Sequence, residues 1–264
     1  MKNDAQGAQA ARPRISAYII ACNEERIIAR ALESVRWMDE IVVLDSGSTD
    51  DTVTLAKKYG ARIAVEAFKS FVHQKNRAME LCTGDWLFNL DADEEVTPEL
   101  RSSIESAVNK GHPVNLKTIY DIRRRTFYLG RWMRHCGWYP EYRARLSQRG
   151  HAAWRGEVLH ERLVGDGPEE FLEGDLLHRP YENLGDHLTT IARYSELWAG
   201  REASRGRKIN RCDLVMRPLF RFFKMYVFKF GVLDGIQGLI ASMMGAWYVF
   251  LKYARLFEIS RIKR

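Results

Sequence analysis

Gly84-Asp85-Trp86-Leu87-Phe88-Asn89-Leu90-Asp91-Ala92-Asp93-Glu94-Glu95 is the stretch on which the reading of this chain turns. Through Leu90 it has the apolar run of a short buried strand. It then breaks into four acids within five residues. Asp91 and Asp93, spaced i and i+2 at a strand exit, can turn both carboxylates toward one point. Hard cations such as Mg²⁺ or Mn²⁺ take oxygen ligands, and Mg²⁺ is typically held by one or two carboxylates plus substrate phosphates. An isolated Asp-x-Asp reads equally well as a solvated acidic turn, so its neighbours decide.

Upstream, Ile15 to Ala21 is a continuous β-rich apolar run ending in Cys22-Asn23-Glu24-Glu25. Apolar residues at helical spacing follow from about Glu25 to Trp37. Ile41 to Leu44 is a second buried strand, ending in Asp45-Ser46-Gly47-Ser48-Thr49-Asp50, where Asp50 or Thr49 can cap a helix over Thr52–Tyr59. Gly60 is a helix stop. A third strand is predicted over Arg62 to Val65, and a helix around Gln74–Leu81. This alternation predicts an α/β fold with a mostly parallel sheet and helices on both faces. Such sheets bind ligands outside the carboxyl ends of their strands. Three of those ends carry polar sets here: Asn23/Glu24, Asp45 to Asp50, and Asp91/Asp93. The absence of G-x-G-x-x-G and of a P-loop lysine argues against a dinucleotide dehydrogenase or a P-loop NTPase.

The ordered set Ile-Ile-Ala-Cys-Asn-Glu-Glu (19–25), Val-Val-Leu-Asp-Ser-Gly-Ser-Thr-Asp-Asp-Thr (42–52), Gln-Lys-Asn-Arg-Ala (74–78) and Gly-Asp-Trp-Leu-Phe-Asn-Leu-Asp-Ala-Asp-Glu (84–94) resembles the family 2 glycosyltransferases of GT-A fold. The resemblance implies that Asn23, Glu24, Asp45 and Lys75 contact the nucleotide of a sugar donor. It makes Asp91 a ribose and metal contact and Asp93 the principal ligand of a divalent metal, Mg²⁺ or Mn²⁺. One departure is Ser46, where many members have a second aspartate, which leaves the choice of nucleotide open.

Displacement at an anomeric carbon also needs a general base on the acceptor side, typically worth ~10²–10⁴ in rate. Trp154-Arg155-Gly156-Glu157-Val158-Leu159-His160-Glu161 resembles a Gly-x-x-x-His-Glu element of the lipopolysaccharide-core branch of the family. That resemblance implies Glu161 as base, with Glu157 in reserve, and His160 as a third metal ligand or organiser. An exposed helix or hairpin with incidental charges is the alternative. Between the acid motif and this element, arginines alternate with Phe, Tyr and Trp from Arg123 to Arg149. Aromatic faces stack on sugars and arginine forks grip phosphate and carboxylate, so this stretch reads as contacts to an anionic glycan acceptor, with Arg143, Arg145 and Trp154 the contacts. Because it follows a donor site and forms no recognisable binding module, nucleic acid is not the expected partner. His178 reads as structural.

Composition sets the frame. The chain has 264 residues, 46% apolar and 28% charged, enough for a sizeable core. Its four cysteines, Cys22, Cys82, Cys136 and Cys212, form no C-x-x-C and fit a reducing compartment. Residues 1–13 read as a disordered polar tail without a secretory signal, so a cytoplasmic location is expected. Residues 201–264 hold 14 Lys and Arg against 4 Asp and Glu, whereas the other 200 residues hold 27 against 30. A basic, Phe-rich C-terminal segment reads as interfacial, with burial against the catalytic core or in a dimer as the alternative. Its longest uncharged run, Gly235 to Leu251, has 17 residues, at the lower limit for a bilayer span.

Gly-Val-Leu-Asp-Gly-Ile-Gln-Gly (231–238) and Tyr-Val-Phe-Leu-Lys-Tyr-Ala-Arg-Leu (248–256) also resemble the inner-core β-1,4-glucosyltransferase branch, which implies glucose from UDP-glucose, a heptose acceptor and a lipid-linked substrate at the cytoplasmic face of the inner membrane, with which the chain would associate peripherally. The expected organisation is a catalytic domain over 14–200, split into a nucleotide-sugar half (14–110) and an acceptor half (111–200), then an amphipathic helical region over 201–264. Another glycan acceptor, a sugar nucleotidyltransferase and a non-catalytic membrane-bound adaptor are the alternatives. The oligomeric state is open.

Overall fold

The computed structural model describes residues 12–110, 118–156 and 161–262. The expected tail lies outside the described residues up to residue 11, as do Glu157 and His160. The first apolar run is β1 (Ile15–Ala21), followed by α1 (Ile28–Ser34), β2 (Glu40–Asp45), α2 (Thr52–Lys58), β3 (Arg62–Val65), α3 (Phe71–Leu81) and β4 (Trp86–Asn89). These match the predicted alternation, except that α1 is shorter than its apolar spacing implied. Residue Ile27 at its start offers no side-chain cap, and at its end the Trp37 indole N–H donates to the Ser34 carbonyl at 2.9 Å. Then come β5 (Glu94–Val96), α4 (Pro98–Asn109), β6 (Ile119–Tyr128), β7 (Arg131–Trp132), β8 (Glu141–Gln148), β9 (Ala152–Arg155), β10 (Arg162–Gly165) and β11 (Glu169–His178).

The sheet runs β3-β2-β1-β4-β8-β6-β11-β5, with β7 paired to β6, while β9 and β10 form a separate antiparallel hairpin. β3, β2, β1 and β4 are parallel, and β8 joins β4 antiparallel. This mixed α/β sheet is the GT-A-like arrangement expected. Period-two alternation along β1 sends Ile15, Ala17, Ile19 and Ala21 into a core with α1 and α4, and Tyr18 into a second core with Ala78 of α3 and Cys82 just beyond its end. Helices therefore cover both faces of the parallel part. All four cysteines, Cys22, Cys82, Cys136 and Cys212, are free.

The chain divides into two compact units, and the division does not fall at residue 200. One unit is Met1–Arg123 with Tyr142–Leu176; the other is Arg124–Glu141 with Leu177–Arg264. The second unit holds α5 (Leu184–Ser204), α6 (Arg211–Phe223) and α7 (Gly235–Ile262). Capping boxes Asn183/Asp186 and Asn210/Asp213 start α5 and α6. Between α6 and α7 come a π-helical turn, Lys224–Phe228, and a 3₁₀ turn, Gly231–Asp234. The Asp234 carboxylate is fully buried there and accepts from the His135 backbone N–H at 2.7 Å and from that of Arg134. Gly238 must lack a side chain, because a Cβ would stand 1.9 Å from the Gly231 carbonyl oxygen. Among the described residues no single helix is long and apolar enough to cross a membrane; Cys212–Phe228 and Gly231–Arg261 together qualify but are bent by 71°.

Candidate active site

The carboxyl ends of β1, β2 and β4 are neighbours because those strands are adjacent and parallel. The first two ends are stitched into one loop system. Asn23, whose φ of +58° lies in the left-handed region that Asn tolerates, accepts at its side-chain oxygen from the Thr49 N–H at 2.8 Å. Its own N–H donates to Ser48 Oγ at 2.8 Å. The Asp45 carboxylate, 2% exposed, accepts from the Gly47 and Ser48 N–H groups at 2.9 Å each and from Ser48 Oγ–H at 2.5 Å. Glu24 enters through its backbone, donating to Thr52 Oγ1 at 2.8 Å. Ser46, the departure noted in the sequence, accepts from the Gln74 amide at 2.8 Å and so ties the β2 end to α3.

One residue along α3, Lys75 is buried and points its ammonium at Asp91 Oδ1, 2.9 Å away. Asp91 Oδ2 accepts from Arg145 at 2.7 Å, and the same guanidinium donates to Glu94 at 2.5 Å and to the Asn89 side-chain oxygen. Glu94 closes the loop by accepting from the Asp91 N–H at 3.1 Å. Two cations thus meet two carboxylates just past the end of β4. Burial alone pushes the Asp91 carboxyl up, but Arg145 and Lys75 outweigh it and hold it well below the usual carboxylate range. Burial likewise works against the Arg145 charge, and Asp91 with Glu94 reverse that and raise it.

Lys75 Nζ also lies 4.4 Å from the centre of the Trp154 ring. The indole N–H of Trp154 donates to the buried Tyr18 hydroxyl at 2.8 Å, and its backbone exchanges hydrogen bonds of 2.8 and 2.9 Å with Asn76. The β9–β10 hairpin is thereby fixed to α3. Register Arg162↔Arg155 places Glu161, the residue before β10, beside the end of β9. One Glu161 carboxylate oxygen is out of solvent without a hydrogen-bond partner.

Two expected acceptor contacts sit elsewhere. Arg145 is 2% exposed, its guanidinium consumed by the acid cluster, and Trp154 is 5% exposed with its polar edge spent on Tyr18. Neither offers a face to a glycan. Arg143 is exposed on β8. Glu94, Asn89, Tyr18 and Gln74 belong to the site's framework and were not picked out individually from the sequence. Glu94, three residues past Asp91 within the acid run, is the one whose spacing carried a signal.

A divalent cation fits the donor set in kind. Asp93, half-buried beside Asp91, supplies hard oxygen, and Mg²⁺ needs few protein carboxylates when phosphates complete its shell. In number the set is lean: among the described residues no three His, Cys, Asp or Glu side chains group as ligands, and both Asp91 oxygens are engaged.

A family model described as glycosyl transferase family 2 matches residues 16–161. An uncharacterized glycosyltransferase of Rickettsia felis is 31% identical, over 93% of this chain and 90% of that protein. The lipopolysaccharide core biosynthesis glycosyltransferase LpsC of Rhizobium meliloti is 29% identical, over 94% of each. Among solved structures, glucosyl-3-phosphoglycerate synthase from Mycobacterium tuberculosis, in complex with Mn²⁺, UDP and glucosyl-3-phosphoglycerate, is 26% identical over 45% of each chain, with a TM-score of 0.35. S. aureus TarS is 18% identical over 52% of this chain, with a TM-score of 0.40. The chain spans less than half the length of either solved structure.

Proposed function

The chain belongs to glycosyl transferase family 2, and from that premise we propose that it transfers a hexose with inversion from a nucleoside diphosphate sugar to a lipid-linked glycan. Glucose from UDP-glucose is the donor in this reading, and a heptose of the lipopolysaccharide inner core the acceptor. The similarity to LpsC over most of both chains supports the acceptor class. The observation that carries the reading is the Lys75–Asp91–Arg145–Glu94 cluster, set beyond adjacent parallel strand ends where α/β sheets bind ligands.

In the proposed reaction the acceptor oxygen forms a bond to the anomeric carbon as the bond from that carbon to the diphosphate oxygen breaks. Glu161 takes the acceptor hydroxyl's proton, and its unpartnered oxygen supports that role. A divalent cation held by Asp93, with Asp91 beside it, would neutralise the charge growing on the departing diphosphate. Lys75 and Arg145 hold Asp91 in place, so the ribose meets a fixed carboxylate rather than a mobile one. Asn23, Glu24 and Asp45 shape the nucleotide pocket mainly by fixing the two loops that form it. Arg143, exposed on β8, is the acceptor contact that remains.

We assign the C-terminal helices to the inner membrane's cytoplasmic face. Phe220, Phe223, Phe228, Phe230, Leu233 and Ile236 are all exposed on a segment with a large excess of basic residues. Sedimentation with membranes and release by salt or mild detergent are expected.

The decisive assay incubates the protein with a panel of nucleotide sugars, Mg²⁺ or Mn²⁺, and lipopolysaccharide from core-truncated strains, followed by mass spectrometry. A hexose gain from UDP-glucose is expected, lost in Glu161→Gln while UDP still binds. Turnover near wild type in Glu161→Gln would remove that residue as base, and no mass gain from any donor would sink the acceptor assignment.

A further inference from the structure

Within the second unit, α5, α6 and α7 bring a group of cations among aromatic rings. Arg207 stacks on Trp198 and Tyr253, with its guanidinium 5.3 and 5.6 Å from the ring centres. Glu202 accepts from Arg207 at 2.7 Å and faces Arg201 at 3.6 Å and Arg205 at 3.5 Å. Asp213 is taken by Arg217.

Arg221 and Lys252 are left over, and neither forms an ion pair among the described residues. Lys252 Nζ is surrounded instead by rings, 4.3 Å from the centre of Trp198 and 5.0 Å from that of Tyr248. Arg221 crosses from α6 onto α7 where Gly245 leaves room, its Nε 3.6 Å from the place a Cβ would take. That Nε is out of solvent and has no acceptor. Burial, and then the charges of Arg221, Arg207 and Arg201, lower Lys252 to about 8; Glu202 offsets only part of this. Burial also lowers Arg221.

A withdrawn cation facing like charges is unfavourable unless an anion completes the arrangement. Two carboxylates, Glu202 and Asp213, among Arg201, Arg205, Arg207, Arg217, Arg221 and Lys252 leave room for a ligand with two negative charges and several oxygens. An arginine fork with an unused N–H, beside a lysine point charge, is the donor chemistry that phosphate takes. The helices that carry it, α6 and α7, also expose Met216, Phe220, Met243 and Trp247. A phosphate attached to acyl chains would satisfy both the charge and the apolar surface.

We propose that Arg221 and Lys252, backed by Arg201 and Arg207, bind a phosphate group, presented as the headgroup of an anionic membrane lipid. The site is independent of the sugar-donor site and does not require the proposed transfer reaction.

The test uses the full chain and three variants, Arg221→Gln, Lys252→Gln and Lys224→Gln, the last an exposed cation on the same helical segment. Circular dichroism first establishes that each is folded. Inorganic phosphate, at ionic strength matched with chloride, is expected to raise the unfolding midpoint of wild type and Lys224→Gln, and to have at most half that effect in the other two. Any phosphate held by the donor site is common to all four proteins and cancels. An equal shift in all four, or the same shift from chloride, overturns the site.

Amine acylation of Lys252, read by peptide mass spectrometry, separates the sources. Phosphatidylglycerol vesicles should slow it at least tenfold in wild type and not in Arg221→Gln, whereas phosphatidylcholine vesicles should not. Protection by free phosphate but not by phosphatidylglycerol vesicles would overturn the lipid assignment.

Discussion

Lys75 with Arg145, and Arg221 with Lys252, are two pairs of cations withdrawn from water, and the chain treats them oppositely. The first pair meets Asp91 and Glu94 at 2.5 to 2.9 Å, and every charge has a partner supplied by the fold. In the second pair Lys252 meets rings and other cations, and Arg221 keeps an Nε–H without an acceptor. A buried group of charges that closes on itself positions side chains. One that stays open stores an affinity for something else. The same physics therefore assigns the first group to holding a donor site rigid and the second to receiving an anion.

The largest effect should come from opening the closed group. Asp91→Asn leaves Lys75 and Arg145 facing one carboxylate instead of two, and breaking a buried pair in this way costs roughly 3–5 kcal/mol. Urea unfolding would measure it. Arg221→Gln removes a cation that has no partner and should leave stability within ~1 kcal/mol of wild type or raise it. If the two variants lose stability equally, the contrast between the groups fails. The closed group should also resist mild acid. Its folded carboxyl value is depressed, so the stabilisation is fully present above the unfolded value of ~3.9 and is lost only as pH falls through the folded one.

A second variant sharpens what the closed group is for. Asp93 lies two residues from Asp91 in the same acid run. Asp93→Asn should lower turnover by ~10²-fold or more, the size of a lost metal contribution to the departing diphosphate. Loss of Mn²⁺-dependent UDP binding in the same variant would support the assignment. Unchanged turnover would mean that Asp93 holds no cation in the reaction.

The closed group was half legible in the sequence. The strand-helix alternation from Ile15 to Asn89 is local and periodic, so it placed Lys75 on a helix and Asp91 at a strand exit, and the family resemblance added their roles. What it could not give is Arg145. That residue is 54 positions from Asp91 and lies in a stretch of arginines and aromatics that reads as surface. Only the antiparallel addition of β8 beside β4 turns it inward. Trp154 was misplaced for the same reason, since its contact with Tyr18 spans 136 positions. The buried Asp234, which gathers the N–H groups of residues 134 and 135, had no local signal at all. Basic and apolar residues over 201–264 were plain in the composition, but which cations would lack carboxylates depends on how three helices meet.

The smallest expected effect tests the open group through its protons. Lys252 is lowered to about 8 in the folded chain, against ~10.4 when unfolded. Between those values the unfolded chain keeps a proton that the native chain has released, so this group makes stability rise as pH increases through that window. Tyrosines and cysteines titrate nearby, so the informative quantity is the difference between wild type and Lys252→Gln in urea unfolding from pH 7.5 to 10.5. Wild type should gain on the variant as pH rises. Bound phosphate should flatten that gain, because an anion beside Lys252 restores its preference for the charged form. A slope that persists unchanged in saturating phosphate would mean that the charge on Lys252 is tolerated by its rings alone, and the two groups would then differ in partner but not in purpose.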